Sequence, residues 1–597
     1  MKIKIVFFRE NISWTKKWIF VGDSFENLQT VEKKIKGQRL IINSFLHESY
    51  KNELKNYLKW TEEQRVKFND SFNWWMTDLA GRNNLTTNFF LYICILKSLK
   101  KFLNQLKEEE ILIVSDDILL IKFIVKNFPK DKIKKSSFLL LYKVKNFFIF
   151  YYDFFRSLLI GFLDAIFNFY CAKVSFKKKN NPSKDVYLIH QYIEASALKS
   201  EKKIKSRYFP YLKEYLKKTN IEFYTLTWSG IFWSGKMRAF KKIREEKSFV
   251  PEDWINILDY FLCIKNFFKT ASFFKKTLPY PEIDVADLLL QERRNYLKQI
   301  SSNFRFWLYE PAFKKWLKNC NSITCIDHYE NMIFEHALIK AVKNLKIKSK
   351  VYGYHHTLSS YEFTPWHSLK SEWESIYKPD FIISLGPISK KMLSSQGIPE
   401  NKIKDGPALR YQNVLQKNIQ LKKETKNILV PLSHIRDASY EVISKIKILS
   451  NDLKNYNYTF IIKPHPNLEI SKILISLKLN ELPKNILISY NDIDELLNNC
   501  LFTIFMSTGG AYNAVINGNI IFNLRSELHL SDNYLDIFEK DFNFLEPHSL
   551  NSIKNILMEL AEDKEKIDKY LSEFKRLRKY LISGMNEVNE LKLSQFK

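Results

Sequence analysis

Short apolar runs of strand length alternate with stripes of helical spacing over most of this chain. The run at 458–462 (YTFII) has the aromatic and β-branched content of a buried strand. It stops at Lys463-Pro464-His465-Pro466, where two prolines end sheet pairing and helix continuation alike. A second run at 501–506 (LFTIFM) meets Ser507-Thr508-Gly509-Gly510, and 511–516 then reads as a helix closed by Asn517-Gly518. Runs at 186–190, 222–227, 322–326 and 350–354 alternate with helical stretches, the pattern of a parallel sheet. Further strands are expected at 2–8, 18–21, 111–114, 381–385 and 427–432, and helices at 89–106, 118–127 and 207–218.

The pattern divides the chain into an N-terminal α/β region (1–135), an aromatic amphipathic segment and linker (136–184), two Rossmann-like units (185–375 and 376–548) and a charged helical tail (549–597). The aromatic segment at 137–171 is long enough to cross a membrane. Lys143, Lys145, Asp153, Arg156 and Asp164 interrupt it, and charges at the centre of a bilayer are costly. Two readings therefore stand: a helix lying in the interface of an anionic membrane, or a buried helical hairpin between domains.

Composition narrows the partners. The 597 residues carry 94 Lys plus Arg against 65 Asp plus Glu, a formal charge of +29. Lysine is spread along the whole chain with Asn and Ile, so part of this charge is compositional bias and part suits anionic substrates or surfaces. No helix-turn-helix, RNP strand or zinc-finger pattern is present, and no nucleic acid is expected as a partner. Six scattered cysteines without a CxxC pair point to a reducing compartment, with neither disulfide framework nor zinc. The apolar start at 1–8 is short for a signal peptide and runs into Arg9-Glu10. A cytoplasmic protein is expected, or one held peripherally on the inner face of the cell membrane.

The chemistry sits at strand ends. Lys463 and His465 fall at the carboxyl end of a strand, where open α/β sheets bind ligands. The turn Ser507-Thr508-Gly509-Gly510 opens a helix, whose free N–H groups and dipole suit a phosphate. Ser433 and Arg436 follow another strand and offer a third phosphate-contacting loop. On the other unit, His190, Asp327, His328, Glu330, His355 and His356 gather at one edge. That cluster supplies a general base, with Glu330 first and His355 or Asp327 next. No tight His or Cys spacing favours a metal, and no cofactor is expected. Asp116-Asp117, after 111–114, is expected to cap the helix at 118–127 rather than bind a metal.

Lys463-Pro464-His465-Pro466 with Ser507-Thr508 resembles the HP and Ser/Thr motifs of bacterial sialyltransferases and Kdo transferases. Related motifs occur in CDP-glycerol polyol-phosphate transferases and capsule polysaccharide proteins. The block Asp327-His328-Tyr329-Glu330-Asn331, Glu335-His336, Gly353-Tyr354-His355-His356-Thr357, Gly386-Pro387 and Ala408-Leu409-Arg410-Tyr411 resembles bacterial surface carbohydrate biosynthesis proteins. The resemblance implies an α/β, GT-B-like fold of two facing Rossmann-like domains, acceptor-side at 185–375 and donor-side at 376–548. It implies a metal-independent glycosyltransferase that moves a sugar, preferably a CMP-linked acidic one, to a surface polysaccharide or lipid-linked glycan. His465 would then contact the donor phosphate and assist its departure, with Ser507 and Thr508 on the same phosphate. A CDP-polyol phosphotransferase and a non-catalytic capsule assembly or export factor are the alternatives.

Overall fold

Three parallel sheets, each wrapped in helices, form the computed structural model. It describes residues 2–597 except 11, 107, 109, 130–132, 135–138, 178, 193–205, 207, 229–232, 413–424, 467, 480, 531, 532, 534, 539, 540, 543 and 544. The N-terminal sheet holds β1 (Lys2–Phe7), β2 (Trp18–Val21), β3 (Arg39–Leu40), β4 (Glu110–Ser115) and β5 (Ile133–Lys134), in the order β3-β2-β4-β1-β5. The middle sheet holds β6 (Asp185–Tyr192), β7 (Phe223–Trp228), β8 (Ser322–Asp327), β9 (Lys348–Tyr354), β10 (Phe381–Ser384) and β11 (Ile403–Asp405), in the order β11-β10-β9-β8-β6-β7. The third holds β12 (Asn427–Pro431), β13 (Thr459–Lys463), β14 (Ile486–Ile488), β15 (Phe502–Phe505) and β16 (Ile520–Asn523), in the order β14-β13-β12-β15-β16. Helices cover both faces of such sheets, so central strands read as unbroken apolar runs. All four residues of β15 are buried, as are four of the five in β12.

The expected fold class, α/β with two Rossmann-like domains and an added N-terminal α/β region, is the one observed. The division between the two domains differs. β10 and β11, expected to open the second unit at 376, pair in parallel into the middle sheet. Ile382 lies opposite Gly353, and a Cβ on that glycine would meet the Ile382 side chain at 2.7 Å. This close fit places β10 beside β9, so the middle sheet extends to Asp405 and the third begins at Asn427.

The tail joins the two domains. Helix Lys564–Ser583 packs on helix Gly510–Asn517, where Arg578 Nε donates to the Ile516 carbonyl at 2.6 Å. The chain then crosses to the middle sheet, with Asn586 N donating to the Leu385 carbonyl and the Asn586 carbonyl accepting from Ala408 N, both at 2.9 Å. It ends with the Phe596 carbonyl accepting from Tyr187 Oη at 2.7 Å.

The N-terminal region docks on both domains. Arg82 makes a buried two-pronged pair with Glu372, at 2.9 Å in each arm, and Gln29 Nε2 donates to Ser444 Oγ at 2.7 Å. Its acidic strand end serves the local backbone: Asp117 Oδ1 accepts from Leu119 N (2.6 Å) and Leu120 N (3.0 Å). Asp116 Oδ2 accepts from Ser24 N (3.0 Å) and Asn27 Nδ2 (3.2 Å). The aromatic segment is one helix, Leu139–Tyr170, continuing into a π-helical turn at Cys171–Ser175, and not a hairpin.

Candidate active site

A doubly wound sheet has a crevice where successive connections leave in opposite directions, and ligands bind there at the carboxyl ends of the strands. In the third sheet the chain goes from β12 outward through β13 and β14, then returns to add β15 on the other side. The switch point lies between β12 and β15, so the loops Leu432-Ser433-His434 and Met506-Ser507-Thr508 flank it, and His465 follows the adjacent β13. In the middle sheet β6 and β8 flank the switch. His190 lies near the end of β6, and Asp327, His328 and Glu330 lie at or just beyond the end of β8.

The two strand ends of the middle sheet are joined by a hydrogen bond between His190 Nδ1 and Asp327 Oδ1 at 2.7 Å, with both side chains buried. His190 Nε2 and Asp327 Oδ2 have no hydrogen-bond partner among the described residues. His328 Nδ1 lies 3.4 Å from the same Asp327 oxygen, and burial pushes its imidazole down to about 4. Tyr208 stacks on His328 at 4.9 Å between ring centres and meets His356 edge-on at 4.5 Å. His356 Nε2 in turn lies 3.3 Å from Glu330 Oε1. Burial alone would raise the Glu330 carboxyl, but the His356 hydrogen bond and the charges of His356 and Arg410 outweigh it and hold it below the usual range. Glu330 is therefore an ionised carboxylate at neutral pH. Its backbone N–H is held by the buried Glu335 carboxyl group at 2.8 Å, which fixes the turn that carries it.

Burial pushes the His434 imidazole below its ordinary value, and the Glu330 carboxylate is the charge that opposes this. The His434 and His465 rings lie 5.7 Å apart, so the third sheet answers the middle one with a histidine pair. Ser507 turns the chain from β15 toward helix Gly510–Asn517 with a φ of +49°. A non-glycine residue in that region stores about 1–3 kcal/mol of strain. Thr508 Oγ1 accepts from Gly510 N at 3.4 Å, and a Cβ on Gly509 would meet no atom within 4 Å. Backbone at this turn is thus open to close approach by a ligand, at the positive end of a helix dipole.

Several expected residues lie elsewhere or serve other bonds. Arg436 turns away to Glu26 of the N-terminal region at 3.2 Å, because that region docks against its helix. Lys463 Nζ donates to the Tyr490 carbonyl at 3.1 Å, beside the crevice. Ser433 Oγ accepts from Ile435 N at 3.2 Å and shapes its loop. Gly510 sits against Pro431 and Ile493, with 3.3 Å left for a Cβ, so it is a packing position. His355 is buried against Trp366, its Nδ1 is 2.7 Å from Ser389 Oγ, and burial holds its imidazole well below the ordinary value, so it is poorly suited as the base. Tyr208 and Arg410 are not among the site residues expected from the sequence. Arg410 stands inside the Ala408-Leu409-Arg410-Tyr411 block, while Tyr208 has no motif to mark it.

His190, Asp327 and His328 place one ligand-type atom each within 4.8 Å of one another, a set with metal-binding composition. The His190–Asp327 hydrogen bond occupies His190 Nδ1 and leaves Nε2 as the ring nitrogen without a partner among the described residues.

No protein-family model and no curated protein matches the chain. Solved structures align at low similarity. The glycotransferase of kitacinnamycin gives a TM-score of 0.38 at 8% identity, covering 70% of this chain and 98% of that one. UDP-GlcNAc 2-epimerase from Neisseria meningitidis, bound to UDP-GlcNAc, gives 0.35 at 13% identity over 67% of this chain and 100% of that one. TarM from S. aureus, in a complex containing UDP, gives 0.29 at 14% identity over 46% and 54%.

Proposed function

We propose that this protein transfers a sugar from a nucleotide donor to a hydroxyl of a surface glycan or lipid-linked acceptor, at the crevice between the middle and third sheets. The observation that carries this reading is that each sheet has polar side chains at its switch point, the His356–Glu330 pair (3.3 Å) on the middle sheet and the His434–His465 ring pair (5.7 Å) on the third. In the reaction the acceptor oxygen bonds to the sugar's anomeric carbon as the bond from that carbon to the nucleotide phosphate breaks. Glu330, held by His356, takes the proton of the acceptor hydroxyl. His465, Thr508 and the N–H group at Gly509 meet the charge that grows on the departing phosphate, with Ser507 shaping their turn and His434 beside them. Preorganised donors of this kind are each worth roughly 3–4 kcal/mol. The donor we favour is a CMP-linked acidic sugar of sialic or Kdo type, because the HP and Ser/Thr pair resembles enzymes of that class. We further propose that the transfer needs no metal.

CMP, UDP, GDP and CDP compounds should be screened by thermal shift. At least one nucleotide should raise the melting temperature, and none doing so on folded protein would remove the enzyme reading. With the donor found, turnover should survive a chelator, and the product should contain no phosphate from the donor. Phosphate in the product would instead assign a polyol phosphotransferase. His465→Ala should lower turnover by about a hundredfold, measured by nucleotide release; near-wild-type turnover would take His465 out of the site.

A further inference from the structure

The helix from Asn146 to Ser175 is inverted. Its polar side faces the protein: Ser157, Gly161, Asp164 and Asn168, at helical spacing, are turned inward. Ser157 Oγ donates to Ser301 Oγ at 3.0 Å, and a Cβ on Gly161 would stand 3.0 Å from Ser301 Cα. Asp153 pairs with Lys298 at 2.9 Å and Asp164 with Lys236 at 2.5 Å. On the opposite side Phe148, Tyr152, Phe155, Leu159, Phe162 and Ile166 form a stripe, each 52–69% exposed. Beside it runs helix Ile257–Phe273, where Ile257, Leu258, Phe261 and Leu262 are 58–70% exposed. Between the two helices lies a groove of about 910 Å³, walled almost wholly by apolar side chains such as Phe162, Ile166, Phe261 and Ile264. Scattered exposed apolar residues are ordinary in a protein; two adjoining stripes with a groove between them are not.

Every carboxylate on these helices is held by the protein body, whereas three of their cations face outward. The carboxylates Asp153, Asp164 and Asp259 are each paired with a lysine of the protein body, the last with Lys315 at 2.6 Å. Arg156, Lys265 and Lys269 are exposed among the aromatic residues. An apolar face with cations in and around it complements a surface of acyl chains under anionic headgroups.

We propose that helices Asn146–Ser175 and Ile257–Phe273 form a docking face that lies in the interface of an anionic lipid bilayer, with acyl chains seated in the groove between them. Asn146–Ser175 also meets the length and mean hydropathy (1.4) of a membrane-crossing helix. Crossing would break its pairs with Lys298 and Lys236 and carry two carboxylates into hydrocarbon, which lying in the interface avoids. The face is independent of the transfer reading and stands or falls by itself.

The test is flotation of the full-length protein with phosphatidylcholine vesicles and with a phosphatidylcholine–phosphatidylglycerol mixture. Binding should require the anionic lipid and weaken with salt. Phe155→Glu with Phe162→Glu, and separately Leu258→Glu with Phe261→Glu, should each reduce it by about tenfold or more. These side chains are exposed, so the melting temperature should hold. Lys265→Gln with Lys269→Gln should reduce binding less and flatten its salt dependence. No flotation with either vesicle, or flotation indifferent to all three variants, would overturn the proposal. So would light scattering that shows a dimer which the glutamate variants split, since a second copy would then cover the face. Resistance of the membrane-associated protein to alkaline carbonate would overturn it in favour of a span.

Discussion

β4 and β8 both lead into aspartate at the carboxyl edge of a parallel sheet, yet the two acids do different things. Asp117, just after β4, places one carboxylate oxygen on two N–H groups of the helix that follows, and its neighbour Asp116 holds the start of another helix. Asp327, the last residue of β8, makes no such cap. It turns sideways to His190 on the neighbouring strand, and its buried second oxygen has no partner among the described residues. The lesson is that an acid at a strand end becomes available for chemistry when the backbone after it leaves its oxygens alone. At β8 the Glu335 carboxyl group takes over the capping, accepting from Glu330 N and, at 2.7 Å, from Met332 N. That frees both Asp327 and Glu330.

This contrast can be broken by substitution. The largest effect is expected at Glu330: Glu330→Gln should lower turnover by about 10²–10⁴ with the melting temperature kept, and retained turnover would move the base elsewhere. Asp327→Asn keeps the shape but loses the charge facing His190 and His328 beside the Glu330–His356 pair, and turnover should fall by less than in Glu330→Gln, without loss of donor binding. Asp117→Ala should do the reverse, leaving turnover intact and costing about 1 kcal/mol of stability in urea unfolding. If instead Asp117→Ala abolished activity and Asp327→Asn only destabilised, the contrast would be inverted.

The smallest effect is one of pH. Glu292, buried on the helix Ala286–Lys298, has its carboxyl pushed up to about 8 by burial. A raised folded value means that the folded state binds the proton more tightly, so this stabilisation is full below the unfolded value near 4.5 and is lost as pH rises through 8. Glu292→Gln should therefore lessen the fall in melting temperature between neutral pH and about pH 9. An unchanged slope would show that Glu292 is not held protonated.

Much of the fold is legible in the order of the residues. The apolar runs and their abrupt ends locate β8, β12, β13 and β15, because strands covered on both faces must be apolar throughout. His465, Ser507, Asp327 and Glu330 are visible there as chemistry set at those ends. Long-range pairing is not. Whether β10 belongs to the middle or the third sheet depends on the fit of Ile382 against Gly353, which no local pattern encodes. Arg436 has the look of a phosphate ligand, but the docked N-terminal region offers it Glu26 instead. Glu330 ranks ahead of His355 by sequence, and packing separates them further by putting His355 against Trp366 and Glu330 beside His356. In the aromatic helix the helical spacing is readable, but the inward side is decided by pairs with Lys298 and Lys236, far away in sequence.

The central claim is that the two switch points make one site, with the donor phosphate on the third sheet. A crystal structure with CMP, or with whichever nucleotide gives the largest thermal shift, tests it most directly. The phosphate should lie at the start of helix Gly510–Asn517, within hydrogen-bond reach of His465 and Thr508, with the Glu330 carboxylate facing it across the crevice. A phosphate bound at the Asp116–Asp117 edge of the N-terminal sheet, or anywhere away from the turn at Ser507, would contradict the account.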